Sequence, residues 1–520
     1  MEIASYLHRL DQIISENPDE YTNILIEDGK FSIYEIINYI QEDPAFNTIR
    51  NRYEYYDIEI ELLTDLDVLN IYSAQFILRS TVNNVTVERP FFITNLPSFL
   101  FFALGSNKDL SLYGGMFIDG NVYVDGNTDI SDETRYVLNE QLYTTPTSKP
   151  FIRPQQSIFT DKRILACMYS NDEICHHIID GNTYERGTFQ QVNDINDVLY
   201  TINNETPAIR TYQQRFLDVS FDRTFTYYQP KNVELIEPNS LSSNVSELLY
   251  RQNDGISIQY QGNLLLSDTT MPNFKYNPTF SFNKTNNHNE LVWIVVTGDL
   301  TIENHKPTPD LNIDANFLVY GDVYISGSVA MNSIIYTQGE VHINNASIKP
   351  YETLDKSTPN QLIMLAKGDI HISKINSFYN QGGENQTKVF KQNGQYEVEP
   401  DLTAFLHTEQ NFEVYTIGSH LAIKGGIFAQ GNTRDPIKHT NDTYGLMINS
   451  YRGNVGITIE GGQEQFIFIP PSEISPPNSE ELTSRFIIQH SQDILTKQPE
   501  GLPINGRFNY IFGDYKITTK

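Results

Sequence analysis

A chain of 520 residues is long enough for two to four domains with large buried cores. Its formal net charge of -29, from 36 basic against 65 acidic residues, repels nucleic acid and anionic lipid, so neither is expected as a partner. Two cysteines exclude a disulfide-dense scaffold, while 32 tyrosines suit β-rich surfaces.

The chain begins with helical patterning. Ile3, Tyr6, Leu7, Leu10, Ile13 and Ile14 share one face, which predicts an amphipathic helix over 2–15. Ser32 and Glu35 spell a capping box, with Phe31 and Ile36 as a hydrophobic staple, ahead of a stripe of Ile33, Ile36, Ile37 and Ile40. No basic and apolar leader opens the sequence. The most apolar stretch, 91–104, is broken by Asn95, Pro97 and Ser98, so no membrane span is predicted. From residue 53 the period changes to strands. YDIEIELL (56–63), NIYSAQFILRSTV (70–82) and VTVERPFFI (85–93) alternate, and Asn83 with Asn84 joins the last two as a hairpin.

A phrase then recurs: an apolar run, a glycine with a small or acidic neighbour, and apolar-x-apolar. It reads MFIDGNVYV (116–124), IVVTGDLTI (294–302), FLVYGDVYI (317–325), IIYTQGEVHI (334–343) and IMLAKGDIHI (363–372), with a looser VYTIGSHLAI at 414–423. Strand alternation predicts that the triplets bury Val122 and Val124, Leu300 and Ile302, Val323 and Ile325, Val341 and Ile343, and Ile370 and Ile372. The outward middles are then Tyr123, Thr301, Tyr324, His342 and His371. Each glycine is read as a bend free of Cβ penalty, and the following Asn, Asp or Glu as a turn residue. One copy cannot bury its apolar face alone, whereas stacked copies can. Gly298, Gly321, Gly339 and Gly368 lie 23, 18 and 29 residues apart, close to one turn of a β-helix. A β-sandwich sharing the same phrase is the competing arrangement.

Residues 132–290 show no such period and are read as an inserted β-rich domain, with RTFTYYQP (223–230) as an aromatic strand. Here lie Cys167 and Cys175, in CMYSNDEICHH. They are read as a disulfide or two inert thiols, because their spacing to each other and to His176 and His177 fits no common zinc pattern. Near the end, the prolines of IFIPPSEISPPNSEE (467–481) mark an exit loop, ELTSRFIIQHSQDIL suggests a short helix and RFNYIFGDYKI a last strand.

The hairpin FILRSTVNNVTVERPFFI followed by LPSFLFFALGSNKDLSLYGGMFIDGNVYV resembles the PilX-type, type IV pilin-like pilus assembly proteins of Gram-positive bacteria. The G-D-V-x-I phrases also resemble bactofilin-type solenoids. The likeness covers about 50–130 and 291–430 and implies a pilin-like sheet leading into a β-helical domain. It further implies an extracellular or cell-surface protein with an export or membrane helix upstream. That apolar helix and its peptidase site are absent here, which leaves pilus assembly open.

The expected fold is mainly β: a β-solenoid (parallel β-helix) with an N-terminal helical and antiparallel-sheet pilin-like region and an inserted β domain. The expected partition is 1–108 for the N-terminal region, 109–131 for a first rung and 132–290 for the insertion. A solenoid at 291–460 and a C-terminal cap at 461–520 complete it. The expected role is non-enzymatic, structural or adhesive. Tyr123, Tyr320, Tyr324 and Tyr336 are the surface contact candidates, for other pilus or surface subunits, for a second copy, or for a glycan or host-surface ligand.

No catalytic residue, cofactor or metal is expected. His342 and His371 share an outward slot and are the weak metal candidates. Asn127, Thr128 and Asp129 match the N-T-D string of polygalacturonase-like enzymes, but their companion strings are missing, so a turn after Gly126 is preferred. A β-helix carbohydrate-active enzyme, a phage-tail-like glycan binder and a bactofilin-like polymer remain the alternatives.

Overall fold

The computed structural model describes Pro44, Thr48, 58–62, 73–82 and most of 85–519, the longer gaps falling at 271–277, 352–359, 374–387, 392–399, 432–444 and 470–480. The helices expected at 2–15 and 32–40 lie outside the described residues. The chain divides into two compact units, one of 1–100, 213–226 and 493–520, the other of 101–212 and 227–492.

The first unit holds an antiparallel sheet. Ile58–Leu62 pairs with Ser73–Val82, which pairs with Val85–Thr94 in a register that sets Val82 opposite Val85, as a two-residue hairpin requires. Asn509–Phe512 and Lys516–Thr519 both pair with Val85–Thr94. The last strand of the reading is thus two strands, and they complete the N-terminal sheet.

The second unit is dominated by one 28-stranded sheet, mostly parallel. Its pairings form three ladders that the chain visits in rotation. The first runs through Val233–Ile236, Ser257–Tyr260, Ile294–Val296, Phe317–Val319, Ser333–Thr337, Leu362–Ala366, 404–408 and 427–429. It continues through Leu104–Ser106, Val122–Val124, Ser157–Phe159 and Ala208–Arg210. The second ladder carries Leu264–Ser267, Leu300–Glu303, 323–326, 341–344, Ile370–Ser373, Phe412–Tyr415, Gly445–Asn449, Asp109–Tyr113, Thr128–Ser131 and Ile164–Cys167. The third includes Leu311–Asp314, Phe486–Gln489 and Phe117–Asp119.

Spatial order therefore departs from chain order. Residues 109–131, expected to precede the array as a first rung, and Leu104–Ser106, expected in the N-terminal region, stack beyond its far end, where Leu104 meets Ile427, Leu110 meets Leu446 and Ile118 meets Ile488. The sheet also reaches into the expected insertion, since Phe151–Ile152, Ser157–Phe159, Ile164–Cys167, Ser257–Tyr260, Leu264–Ser267 and Thr279–Ser281 are ladder strands. Likewise 486–489, expected in a C-terminal cap, is a ladder strand.

The triplet alternation predicts burial well. All ten flanking residues, from Val122 to Ile372, are at most 1% exposed and belong to one continuous core. Val198 and Leu199, beside the short turn Ile195–Asp197, belong to that core too. So do Val245 and Leu248, from the segment between Val233–Ile236 and Ser257–Tyr260.

Two local expectations fail for a visible reason. RTFTYYQP falls in a helix, Phe221–Tyr228, because Phe221, Phe225 and Tyr228 lie on one helical face and are all buried. FIIQ is a strand whose Phe486 and Ile488 point into the core, leaving only Asp493–Thr496 helical.

The glycine of the phrase has a different cause from the one read in the sequence. Gly298, Gly321, Gly339 and Gly368 are not among the positive-φ residues. Instead they stack: Gly321 N donates to Gly298 O at 3.0 Å, Gly339 N to Gly321 O at 3.2 Å and Gly368 N to Gly339 O at 3.0 Å. The next residue extends the stack through its side chain. Asn263 Oδ1 accepts from Asp299 N at 3.0 Å, Asp299 Oδ1 from Asp322 N at 2.9 Å, and Asp322 Oδ1 from Glu340 N at 2.8 Å. The same bond joins Asp369 to Asn411 N and Asp109 to Asn127 N. A Cβ at Gly321 would strike the Asp299 carboxylate, so close approach dictates glycine.

Candidate functional site

The outward face of the second ladder carries a column of side chains fixed by strand register. Thr301, Tyr324, His342, His371 and Glu413 are successive partners. The Tyr324 and His342 rings stack at 5.1 Å and 9°, and those of His342 and His371 at 5.4 Å and 13°. Carboxylates flank them: Glu340 Oε2 lies 3.4 Å from His342 Nε2, and Glu413 Oε2 lies 3.4 Å from His371 Nδ1. Burial pulls the His371 pKa down, but the hydrogen bond and charge of Glu413, with Asp369 and Glu340 behind, outweigh it and raise the value.

Sequence register thus brings His342 and His371 together as expected, yet as parallel stacked plates. Among the described residues no group of three or more His, Cys, Asp or Glu side chains could hold a metal ion. What the column offers is one imidazole, His371, whose protonated form its carboxylate neighbours favour. Glu413→Gln is expected to lower the His371 pKa toward 6.5 or below, read by NMR titration of the ring protons. An unchanged midpoint would count against the pairing.

The four tyrosines divide. Tyr324 is 38% and Tyr320 41% exposed, the latter's hydroxyl accepting a 2.7 Å bond from Gln229 Nε2. Tyr336 and Tyr123 are buried, which corrects the reading of both as contact surface. Tyr336 lies on the first ladder, packed 5.8 Å from the rings of both Trp293 and Tyr228. Tyr123 lies 5.3 Å from Phe102 and 5.4 Å from Tyr212. Its phrase sits at a different corner from the others: MFIDGNVYV turns from the third ladder into the first, whereas IVVTGDLTI and its successors turn from the first into the second. Alternation says which side of a strand a residue occupies, not whether that side is covered.

A second, enclosed cluster lies further along the second ladder. Asp129 is not in a turn but in Thr128–Ser131, pointing outward yet only 1% exposed. The hairpin His176–Ile178 and Tyr184–Arg186 lies against it, and Arg186 Nη2 pairs with Asp129 Oδ1 at 2.6 Å. Cys167, at the end of Ile164–Cys167, is bonded to Cys175, so the pair forms the disulfide of the two readings left open. Glu133 Oε2 accepts from the backbone N–H of Cys175 at 2.8 Å and of His176 at 2.9 Å. The His176 ring meets Tyr113 edge-on at 4.6 Å, and Arg135 lies over Tyr113 at 5.4 Å. His177, the next residue in the strand, is exposed.

Burial dominates the electrostatics of this cluster. It pushes Asp129 up to about 6 against the pull of Arg186, and Asp109 adds like-charge repulsion. It presses His176 down to about 4 although Glu133 acts the other way, and it raises Tyr113. Tyr113, Glu133, Arg135 and Arg186 were not singled out in the sequence; only the N-T-D string and the cysteine pair pointed to this place.

Clasping of this hairpin is testable. Opening the disulfide, which closes a loop of sequence separation 8, is expected to cost about 2.5 kcal/mol. In Cys175→Ser, cleavage between 168 and 187 by a protease should quicken while the ladder strands stay intact. Equal cleavage rates in the two proteins would refute the clasp.

An open cleft of about 590 Å³ is lined by Asn127, Asp161, Arg163, Gln191, Asn193 and Ile209, among others.

No protein-family model matches the chain, and no curated protein matches it in sequence. Among solved structures, the competence-associated pilin ComZ from Thermus thermophilus aligns over 91% of this chain and 94% of its own, with 12% identity and a TM-score of 0.29. A likeness of that size assigns neither fold nor function.

Proposed function

We propose that the parallel sheet is a three-sided β-solenoid, and that the chain is a non-enzymatic structural subunit displayed at the cell surface, pilin-like or pilus-associated. The observation that carries this reading is the unbroken register of the first ladder, which passes from 429 to 104 without a gap in pairing. Twelve parallel strands at roughly 4.8 Å spacing make a sheet about 50 Å long in its hydrogen-bonding direction. The glycine and Asx bonds at one corner brace it further. Such a body resists bending and presents fixed columns of side chains, which suits a stalk or adhesive tip. The pilin-like part rests on the sequence resemblance of the hairpin and the phrase that follows it.

The perturbed titratable groups favour this role over glycan cleavage. Asp129 is enclosed by the Arg186 hairpin, out of reach of a polysaccharide. Val198 and Leu199 at one end, and Val245 and Leu248 from the segment before Ser257–Tyr260, serve as caps. Capped ends favour single rods over an open-ended polymer.

Negative-stain electron microscopy across a concentration series tests the point, with single rods expected at every concentration. Filaments that lengthen with concentration would replace this reading by a bactofilin-like polymer. Antibody labelling of intact producing cells tests display, and a signal seen only after lysis would sink it.

A further inference from the structure

Partly exposed cations in the second unit have carboxylates. Arg186 has Asp129, Arg153 has Asp119 at 3.0 Å and Lys284 has Asp314 at 2.9 Å. Arg452 does not. It is 3% exposed, its Nη2 reaches the Met116 carbonyl only at 3.5 Å, and its Nε and Nη1 have no hydrogen-bond partner. A buried guanidinium whose nitrogens lack acceptors is costly, and among the described residues none of the chain's 65 acidic residues is paired with this one.

The surroundings add donors rather than acceptors. Gly115 packs so closely that a Cβ there would strike both Arg452 Cβ and Ser148 Oγ, which sets that hydroxyl near the base of the arginine side chain. Ser148 Oγ and Ser450 Oγ are buried and also lack partners. Arg485, itself 3% exposed, donates Nε at 2.9 Å to the carbonyl of Gly453, the residue that follows Arg452. Burial lowers the Arg452 pKa to about 10, so it is charged at neutral pH. A species that only accepts hydrogen bonds and carries negative charge answers the two unpartnered nitrogens of Arg452 and can take the Ser148 hydroxyl as a further donor.

The route in is one ring thick. The Tyr200 ring covers the Arg452 guanidinium at 4.6 Å and is 44% exposed, so its outer side is in water. We propose that this corner binds one oxyanion of carboxylate or sulfate size, with Arg452 as its cationic anchor, Ser148 as a hydroxyl donor and Tyr200 as the movable cover. The proposal stands apart from the surface role, since neither the ladders nor the resemblance enters it.

Thermal unfolding in sodium sulfate, sodium acetate and sodium glucuronate, each against sodium chloride of equal ionic strength, tests it. The first two probe a free ion, the third the same group carried on a sugar. A saturable rise in Tm of a few degrees is expected with at least one of them, lost in Arg452→Met. Tyr200→Ala should lower the half-saturating concentration. Sulfate stabilises many proteins by exclusion from their surfaces, so a rise that does not saturate, or that is equal in Arg452→Met, would overturn the site. Should Arg452→Met not fold, Ser148→Ala decides: a half-saturating concentration raised about fivefold is expected, and an unchanged one overturns the proposal.

Discussion

Gly321→Val is expected to destabilise the second unit by more than about 3 kcal/mol, the largest effect of any single substitution along the glycine stack. Its Cβ would strike Asp299 Oδ1 and come within 2.7 Å of the Gly298 carbonyl carbon. Neither can yield cheaply. Gly298 O accepts from Gly321 N, and Asp299 Oδ1 accepts from Asp322 N, so making room breaks two bonds that align adjacent strands. Asp299→Ala separates the contributions, because it removes the acceptor and leaves the glycine free. About 1 to 2 kcal/mol is expected for the stranded Asp322 N–H. Gly461→Ala is the control, with nothing within 4 Å and a φ of +61°, and should cost about 1 to 2 kcal/mol from backbone strain alone. Urea denaturation of the three variants gives the ranking. A Gly321→Val cost no larger than that of Gly461→Ala would refute the close-approach account.

That comparison also marks how far the sequence could be read. Apolar-x-apolar alternation is a property of one strand, so Val323 and Ile325 announce their burial without knowledge of their neighbours. The role of Asp322 is a relation between strands 18 residues apart, and in the sequence it passes for a turn residue. Joining 104–131 to the end of the array is more distant still, a pairing of Leu104 with Ile427 that no local pattern encodes. Strands Ser257–Tyr260, Leu264–Ser267 and Thr279–Ser281 escaped because their segments lack the glycine phrase, although Leu264 and Leu266 carry the same alternation.

The outward column was legible in part for the same reason. His342 and His371 share a slot in successive phrases, and in-register parallel pairing then stacks them. Glu413 was not seen as their continuation, since the phrase before it has no glycine bend. The enclosed cluster was nearly invisible. Arg186 and Glu133 are ordinary charged residues in sequence, and only the folding of one hairpin onto Asp129 brings Arg186 to its carboxylate and leaves Glu133 buried. Arg452 is the extreme case, because what singles it out is two guanidinium nitrogens left without an acceptor.

Acid is expected to unfold the second unit through its buried histidines, with a slope that can be assigned. His407 is 1% exposed, stacked on Phe428 at 5.5 Å and 1°, and burial alone holds its pKa at about 3. His176 is held at about 4. An unfolded chain protonates both near 6.5, so below that pH it binds two protons that the folded state refuses, and stability falls as pH falls. Asp129 acts in the opposite sense. Its folded pKa of about 6 lies above the unfolded 3.8, so between those values the folded state holds one extra proton and the loss is partly offset. Two protons net to one below pH 6, and these three groups together give a slope of about 1.4 kcal/mol per pH unit between 6 and 4. His371, whose pKa is raised, contributes stability that is full below 6.5 and is lost as pH rises through its folded value, so it bounds the optimum from the alkaline side. His407→Phe keeps a ring against Phe428 and removes one proton from the balance. Because the chain's many carboxylates also titrate in acid, the informative quantity is the difference between the two proteins in urea denaturation at pH 6, 5 and 4. The variant's stability should fall less steeply by about 1.4 kcal/mol per pH unit, and parallel curves would show that His407 is not held neutral in the fold.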